Sequence, residues 1–148
     1  MQPYRETLWP SFWVFAALAL VIPATMLVLA PVSLAAGVIG AVVLYGGCVG
    51  LALIAAPRIE VTADTLRAGK ASIPIDRVGE TTEYVGVEAQ QQRGPRLDAR
   101  AWLLIRGWVS PMVKVAVVDD DDPTPYWLLS TRYPDRLAAA IAAAKEAA

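Results

Sequence analysis

The chain has 148 residues, of which 56% are hydrophobic and only 18% charged, and its net charge is −1. An ordinary soluble domain is roughly a quarter charged, and a nucleic-acid binder shows a basic face or stripe, so neither class fits. Residues 7–57 contain no Asp, Glu, Lys or Arg, and every charge except Arg5 and Glu6 lies at or after Arg58, which divides the chain between two solvents.

Residues 9–29, WPSFWVFAALALVIPATMLVL, have the length and composition to cross ~30 Å of hydrocarbon. Pro23 is expected to kink this span. Trp9 and Trp13, with Phe12, cluster at one end, where aromatic rings anchor at headgroup level. A cleaved signal peptide is the competing reading, but the apolar stretch is longer than such a core and a second span follows at once. Ala30, Pro31 and Val32 form a short turn. Residues 33–56, SLAAGVIGAVVLYGGCVGLALIAA, give the second span, ended by Pro57. Its small residues recur at four-residue spacing: Ala36 with Gly40, Gly37 with Ala41, Gly46 with Gly50. Such faces let helices approach closely, either within this chain or against a second copy or membrane partner. Cys48, the one cysteine, reads as a small apolar residue. Arg5 precedes the first span and Arg58, Arg67, Lys70 and Arg77 follow the second. The positive-inside rule therefore places both termini in the cytoplasm, at the plasma (inner) membrane.

From residue 58 the hydrophobic period shortens towards 2. Candidate strands are 58–62, 65–69, 71–75, 80–89, 101–106, 112–118 and 126–131. Pro74 marks an edge or bulge. Residues 90–98, QQQRGPRLD, read as a mobile loop, and 101–106, AWLLIR, as a well-buried strand. Residues 134–147 form a closing helix with proline in its first turn and Leu137 and Ile141 on one face. The expected organisation is a two-helix hairpin over 1–57 and a cytoplasmic β-domain over 58–148.

The segment RIEVTADTLRAGKASIPIDRV resembles the start of bacterial pleckstrin-homology domains. That resemblance implies a fold class: a membrane α-helical hairpin plus a small β-barrel or sandwich of about seven strands with a C-terminal helix. WPSFW, DARAWLLIRGW and DDPTPYWLLSTRYPDRLAAAI together resemble an actinobacterial two-span membrane-protein family, the domain of unknown function 3093. This second resemblance implies the architecture and no activity.

The chemistry is sparse. There is no histidine, the commonest general base and metal ligand. No serine stands in a nucleophile elbow, and no phosphate-loop or metal-ligand spacing occurs. The expectation is therefore no enzyme, no cofactor and no metal. Residues 119–127, DDDDPTPYW, are the most unusual stretch. Asp119, Asp120, Asp121 and Asp122 must be solvated or paired. They form a turn between strands, a cation site, or a contact surface with Tyr126, Trp127 and Arg132. Trp108 is either core packing or a third interfacial aromatic. The function that fits is a membrane-anchored interaction or scaffold module, with a lipid or small-ligand sensor as the alternative. Its partners are the lipid bilayer and a protein partner or second copy, not nucleic acid.

Overall fold

Proline cannot donate a backbone hydrogen bond, and its ring clashes with the carbonyl one turn earlier. In the structure, a computed structural model that describes residues 3–148, Pro23 accordingly divides the first apolar segment. The pieces are α1 (Phe12–Leu18) and α2 (Val21–Leu29). The break falls at Ala19 and Leu20, and the Ala19 carbonyl, which Pro23 cannot serve, accepts the Ile22 N–H at 3.0 Å. The turn at Ala30, Pro31 and Val32 ends at Ser33, whose hydroxyl accepts the Ala36 N–H at 2.9 Å and opens α3 (Leu34–Ile54). Two stretches, Phe12–Leu29 and Leu34–Ile54, are long and apolar enough to cross a membrane. Their large side chains are mostly exposed, Leu27, Val42 and Ile54 among them.

Gly37 and Gly40 are where α3 meets α2. A Cβ on Gly40 would lie 2.7 Å from Leu29 Cδ1, and one on Gly37 would lie 3.1 Å from the Met26 sulfur. Packing within the chain therefore accounts for these two glycines. Gly46 and Gly50 face open space, so no helix among the described residues explains their size.

The helical unit, Trp9–Ala56, is an insertion. The sequence reading assigns all of residues 1–57 to the hairpin, whereas residues 3–8 join Pro57–Ala148 in the β-unit. Met1 and Gln2, also in the expected hairpin segment, lie outside the described residues. The residues before the insertion form β1 (Tyr4–Thr7), which pairs antiparallel with β2 (Arg58–Val61), Glu6 opposite Ile59 and Arg5 opposite Glu60. Alternation puts Tyr4 and Glu6 on the inner face with Ile59 and Val61. Arg5 is left outside, pairing with Glu60 at 2.6 Å. Just past the ladder, the Leu8 N–H donates to the Pro57 carbonyl at 2.9 Å, so the insertion leaves and returns at one point.

β3 (Thr65–Ala68) and β4 (Ala71–Pro74) complete a first antiparallel sheet in the order β1-β2-β3-β4. Pro74 ends the edge strand, as the sequence suggests, and a single 3-10 turn (Ile75–Arg77) leads on. The second sheet takes β5 (Val78–Tyr84), β6 (Trp102–Leu104), β7 (Met112–Val117) and β8 (Tyr126–Ser130) in the order β5-β7-β8-β6. The seven expected strands are thus present, with an eighth supplied from before the helices. β6 runs parallel to β8. It is a short edge strand with Trp102 and Leu103 partly exposed, not the buried strand its composition suggests.

Residues 86–93 depart further from the reading. They form α4 (Gly86–Arg93), not strand and mobile loop. Ala89 and Gln92, three apart, turn inward while Val85 and Val87 stay exposed. Helical spacing here buries what strand spacing would not. Arg93 ties the helix down by donating to the Ser110 carbonyl at 2.6 Å.

The main core joins Ile59, Val61, Leu66, Val113, Val115, Trp127 and Leu129 to one face of α5 (Pro134–Ala147), through Leu137, Ile141 and Ala144. A smaller core holds Ala89, Met112, Tyr126 and Leu128. β8 lies between the two, which explains why all five of its residues are buried.

The glycine geometry makes a prediction for the helical unit. Gly40→Val should lower the thermal stability of the detergent-solubilised protein by ~1–2 kcal/mol, the usual cost of overpacking. Gly46→Val should leave it unchanged, as read by the melting curve of the helical circular-dichroism signal.

Candidate functional site

A buried carboxylate needs hydrogen-bond partners, or its desolvation goes uncompensated. Glu6 is buried, on the inner face of β1, and it is well supplied. Its Oε2 accepts the Tyr4 hydroxyl at 2.8 Å and the Thr131 hydroxyl, and its Oε1 accepts the Arg132 N–H at 2.9 Å. The Thr131 hydroxyl oxygen also accepts the Tyr133 N–H at 3.1 Å. The cluster therefore joins the strand that leads into the helical insertion to the turn that starts α5. Burial, more than any other influence, pushes the Tyr4 phenol well above the ordinary tyrosine value. Glu6 stands as the last acid before the apolar half, in the short segment YRET. No apolar alternation in these four residues marks them as a strand.

The acidic run forms the turn between β7 and β8. Asp119 pairs with Arg77, and its Oδ1 accepts the Asp121 N–H at 3.1 Å. The hydrogen bond to Asp119, ahead of simple charge attraction, holds the Arg77 guanidinium above its ordinary value. Asp122 Oδ1 accepts the Thr124 N–H at 2.9 Å, and hydrogen bonding from Thr124, its side chain first and its backbone second, lowers the Asp122 carboxyl below the ordinary range. These are the side-chain-to-backbone bonds that aspartates make in turns. Asp120, Asp121 and Asp122 are exposed. Among the described residues, no three His, Cys, Asp or Glu side chains are grouped to hold a metal ion.

The structure separates the residues that the sequence groups with this turn. Tyr126 and Trp127 are 7% and 5% exposed, one in each core, and so offer no contact surface. The Tyr126 hydroxyl accepts the Asp98 N–H at 2.8 Å, and its ring lies under the Lys114 ammonium, 4.2 Å away. Arg132 follows the far end of β8 and belongs to the Glu6 cluster. Trp9 and Trp13 are exposed. Trp108 differs: it packs against the main core with its indole nitrogen buried, which favours the packing reading.

A family model described as a protein of unknown function (DUF3093) matches residues 3–141, and the chain belongs to that family. The match begins ahead of β1 and ends inside α5, covering both units. No curated protein and no solved structure matches the chain.

The Glu6 cluster can be tested by substitution and by pH. Glu6→Gln replaces an acceptor-only group by one that brings donors towards three existing donors. It should cost ~2 kcal/mol, read as a fall in melting temperature. The Tyr4 shift predicts an alkaline limb. A phenol raised in the folded state stabilises the fold fully below its unfolded value of ~10. That contribution is lost as pH rises through the folded value. Tyr4→Phe should lose about 1 kcal/mol at neutral pH and flatten the decline in stability above pH ~10.

Proposed function

We propose that this protein is a two-span inner-membrane protein whose β-unit stands on the cytoplasmic side and binds a protein partner without catalysing a reaction. The observation that carries the reading is the junction at Leu8 and Pro57. A chain that enters a bilayer and returns to within one hydrogen bond of its entry point crosses it an even number of times. Two helical stretches of spanning length lie between those residues. The exposed leucines and valines along them suit lipid, since a soluble core helix would bury them. Signal-peptide cleavage fits poorly, because it would remove β1 together with buried Glu6 and Leu8.

Sidedness follows from charge. Arg5, Arg58 and Arg67 are exposed close to the junction, whereas the turn at Ala30, Pro31 and Val32 has no charge, so the basic end stays inside. The absence of histidine and the placement of the sole cysteine, Cys48, in α3 support a binding role over an enzymatic one. Two packed sheets closed by a C-terminal helix support the pleckstrin-homology-like assignment. The parallel β6–β8 pair and the first strand borrowed from ahead of the helices are this chain's own departures from that pattern.

Two measurements test the proposal. In a Cys48→Ala background, Ala148→Cys should react with a membrane-impermeant maleimide only after the cells are opened, and the protein should resist carbonate extraction. Labelling of intact spheroplasts would reverse the topology. Crosslinking in native membranes should give a discrete heteromeric adduct. Recovery of the chain alone, or only with itself, at native expression counts against a partner-binding module.

A further inference from the structure

The outer strands of a sheet carry unpaired N–H and C=O groups, and proteins cover or blunt such edges or use them to bind. β5 is an outer strand of the second sheet: β7 pairs with one side of it, and among the described residues no strand pairs with the other. α5 lies beside this strand. Lys145 Nζ, in the last turn of the helix, donates to the Gly79 carbonyl at 2.8 Å. Between the two elements runs an open groove of about 440 Å³, walled by Glu80, Thr81 and Glu83 on the strand and by Ala138, Ala139 and Ala142 on the helix.

The helix wall is distinct from the core face. Leu137, Ile141 and Ala144 point into the main core, while 138, 139 and 142 repeat at helical spacing beside them and present only methyl groups. Asp135, in the first turn of α5, also lines the groove. Its charges are therefore three acids, Glu80, Glu83 and Asp135, against Lys145, which is already engaged with Gly79. Glu80 and Glu83 are exposed.

We infer that this groove is a docking site for an extended, cationic segment of a protein partner, which adds as a strand to the edge of β5 with its small or β-branched side chains against the alanines and its lysines or arginines towards Glu80, Glu83 and Asp135. This rests on the binding-module reading and gives it a surface and a partner chemistry. The span from Glu80 to Glu83, beyond the Gly79 carbonyl that Lys145 holds, accommodates about four residues, ~13 Å of strand. The same charges argue against other occupants. A second copy pairing β5 with β5 brings acidic strand against acidic strand, which is unfavourable across a ladder. An anionic lipid headgroup meets three carboxylates.

The test uses the full chain in dodecyl maltoside micelles and a fluorescein-labelled peptide, VKVKVKV, followed by fluorescence anisotropy. Saturable binding is expected. It should weaken at least tenfold for the Glu80→Lys, Glu83→Lys double variant. It should weaken similarly for Ala142→Trp, which fills the groove from an exposed helix position and leaves the core intact. The same peptide N-methylated at alternate amides keeps its charge but loses strand-forming N–H groups, and it should not bind. The proposal is overturned by no binding of VKVKVKV, by equal binding of VEVEVEV or of the N-methylated peptide, or by affinity unchanged in both variants. A protein of the proposed topology that ignores the peptide loses the groove alone. A protein that binds the peptide through the groove but is labelled at residue 148 from outside loses the topology alone.

Discussion

The pairing of β1 with β2 is the constraint on which both units depend. Two strands far apart in sequence hold the two ends of an apolar insertion together, closed by one hydrogen bond between Leu8 and Pro57. A flexible loop of about fifty residues costs ~3.5 kcal/mol to close. Burial of Leu8 alone offsets much of that, at ~2 kcal/mol, and the Glu6 hydrogen bonds add to it. The helical insertion also reduces the cost, because α2 and α3 pack together and turn back at Ser33. Neither element holds the junction alone: the strands keep the helix ends together, and the helices return the chain to its strand.

Burial of Glu6 gives that junction direction. Its carboxylate reaches across the β-unit to Thr131 and the Arg132 N–H, at the turn where β8 gives way to α5. The strand nearest the first span is therefore bonded to the start of the closing helix. The face of α5 turned away from the core forms one wall of the groove beside β5. A run of named bonds thus links the strand that leads into the apolar helices to the element that walls the groove beside β5.

The two-core arrangement explains why the acidic turn and the aromatic pair after it part company. Solvation keeps Asp120, Asp121 and Asp122 outside, whereas β8 enters directly between the two cores. A step of one residue from Tyr126 to Trp127 crosses from the smaller core to the larger. In linear sequence the acids and aromatics look like one surface. Strand alternation between two buried faces makes that grouping impossible, and a single sequence does not show that β8 is covered on both sides.

Local patterns carried much of the architecture. The charge-free half, the break at Pro23, the turn at Pro31, the seven strands after Pro57 and the inward face of α5 at Leu137 and Ile141 all follow from composition, period and proline chemistry, which act over a few residues. The strand at Tyr4, the helix at Gly86, the parallel pairing of Trp102 with Trp127 and the groove beside β5 do not. Four residues are too few to establish a period, Val85 and Val87 mimic alternation, and a sheet edge exists only once the other strands have chosen their neighbours. What composition and spacing determined here is which solvent each segment prefers. Which segments meet was decided in three dimensions, because pairing across the insertion is a long-range contact that leaves almost no trace in the residues beside it.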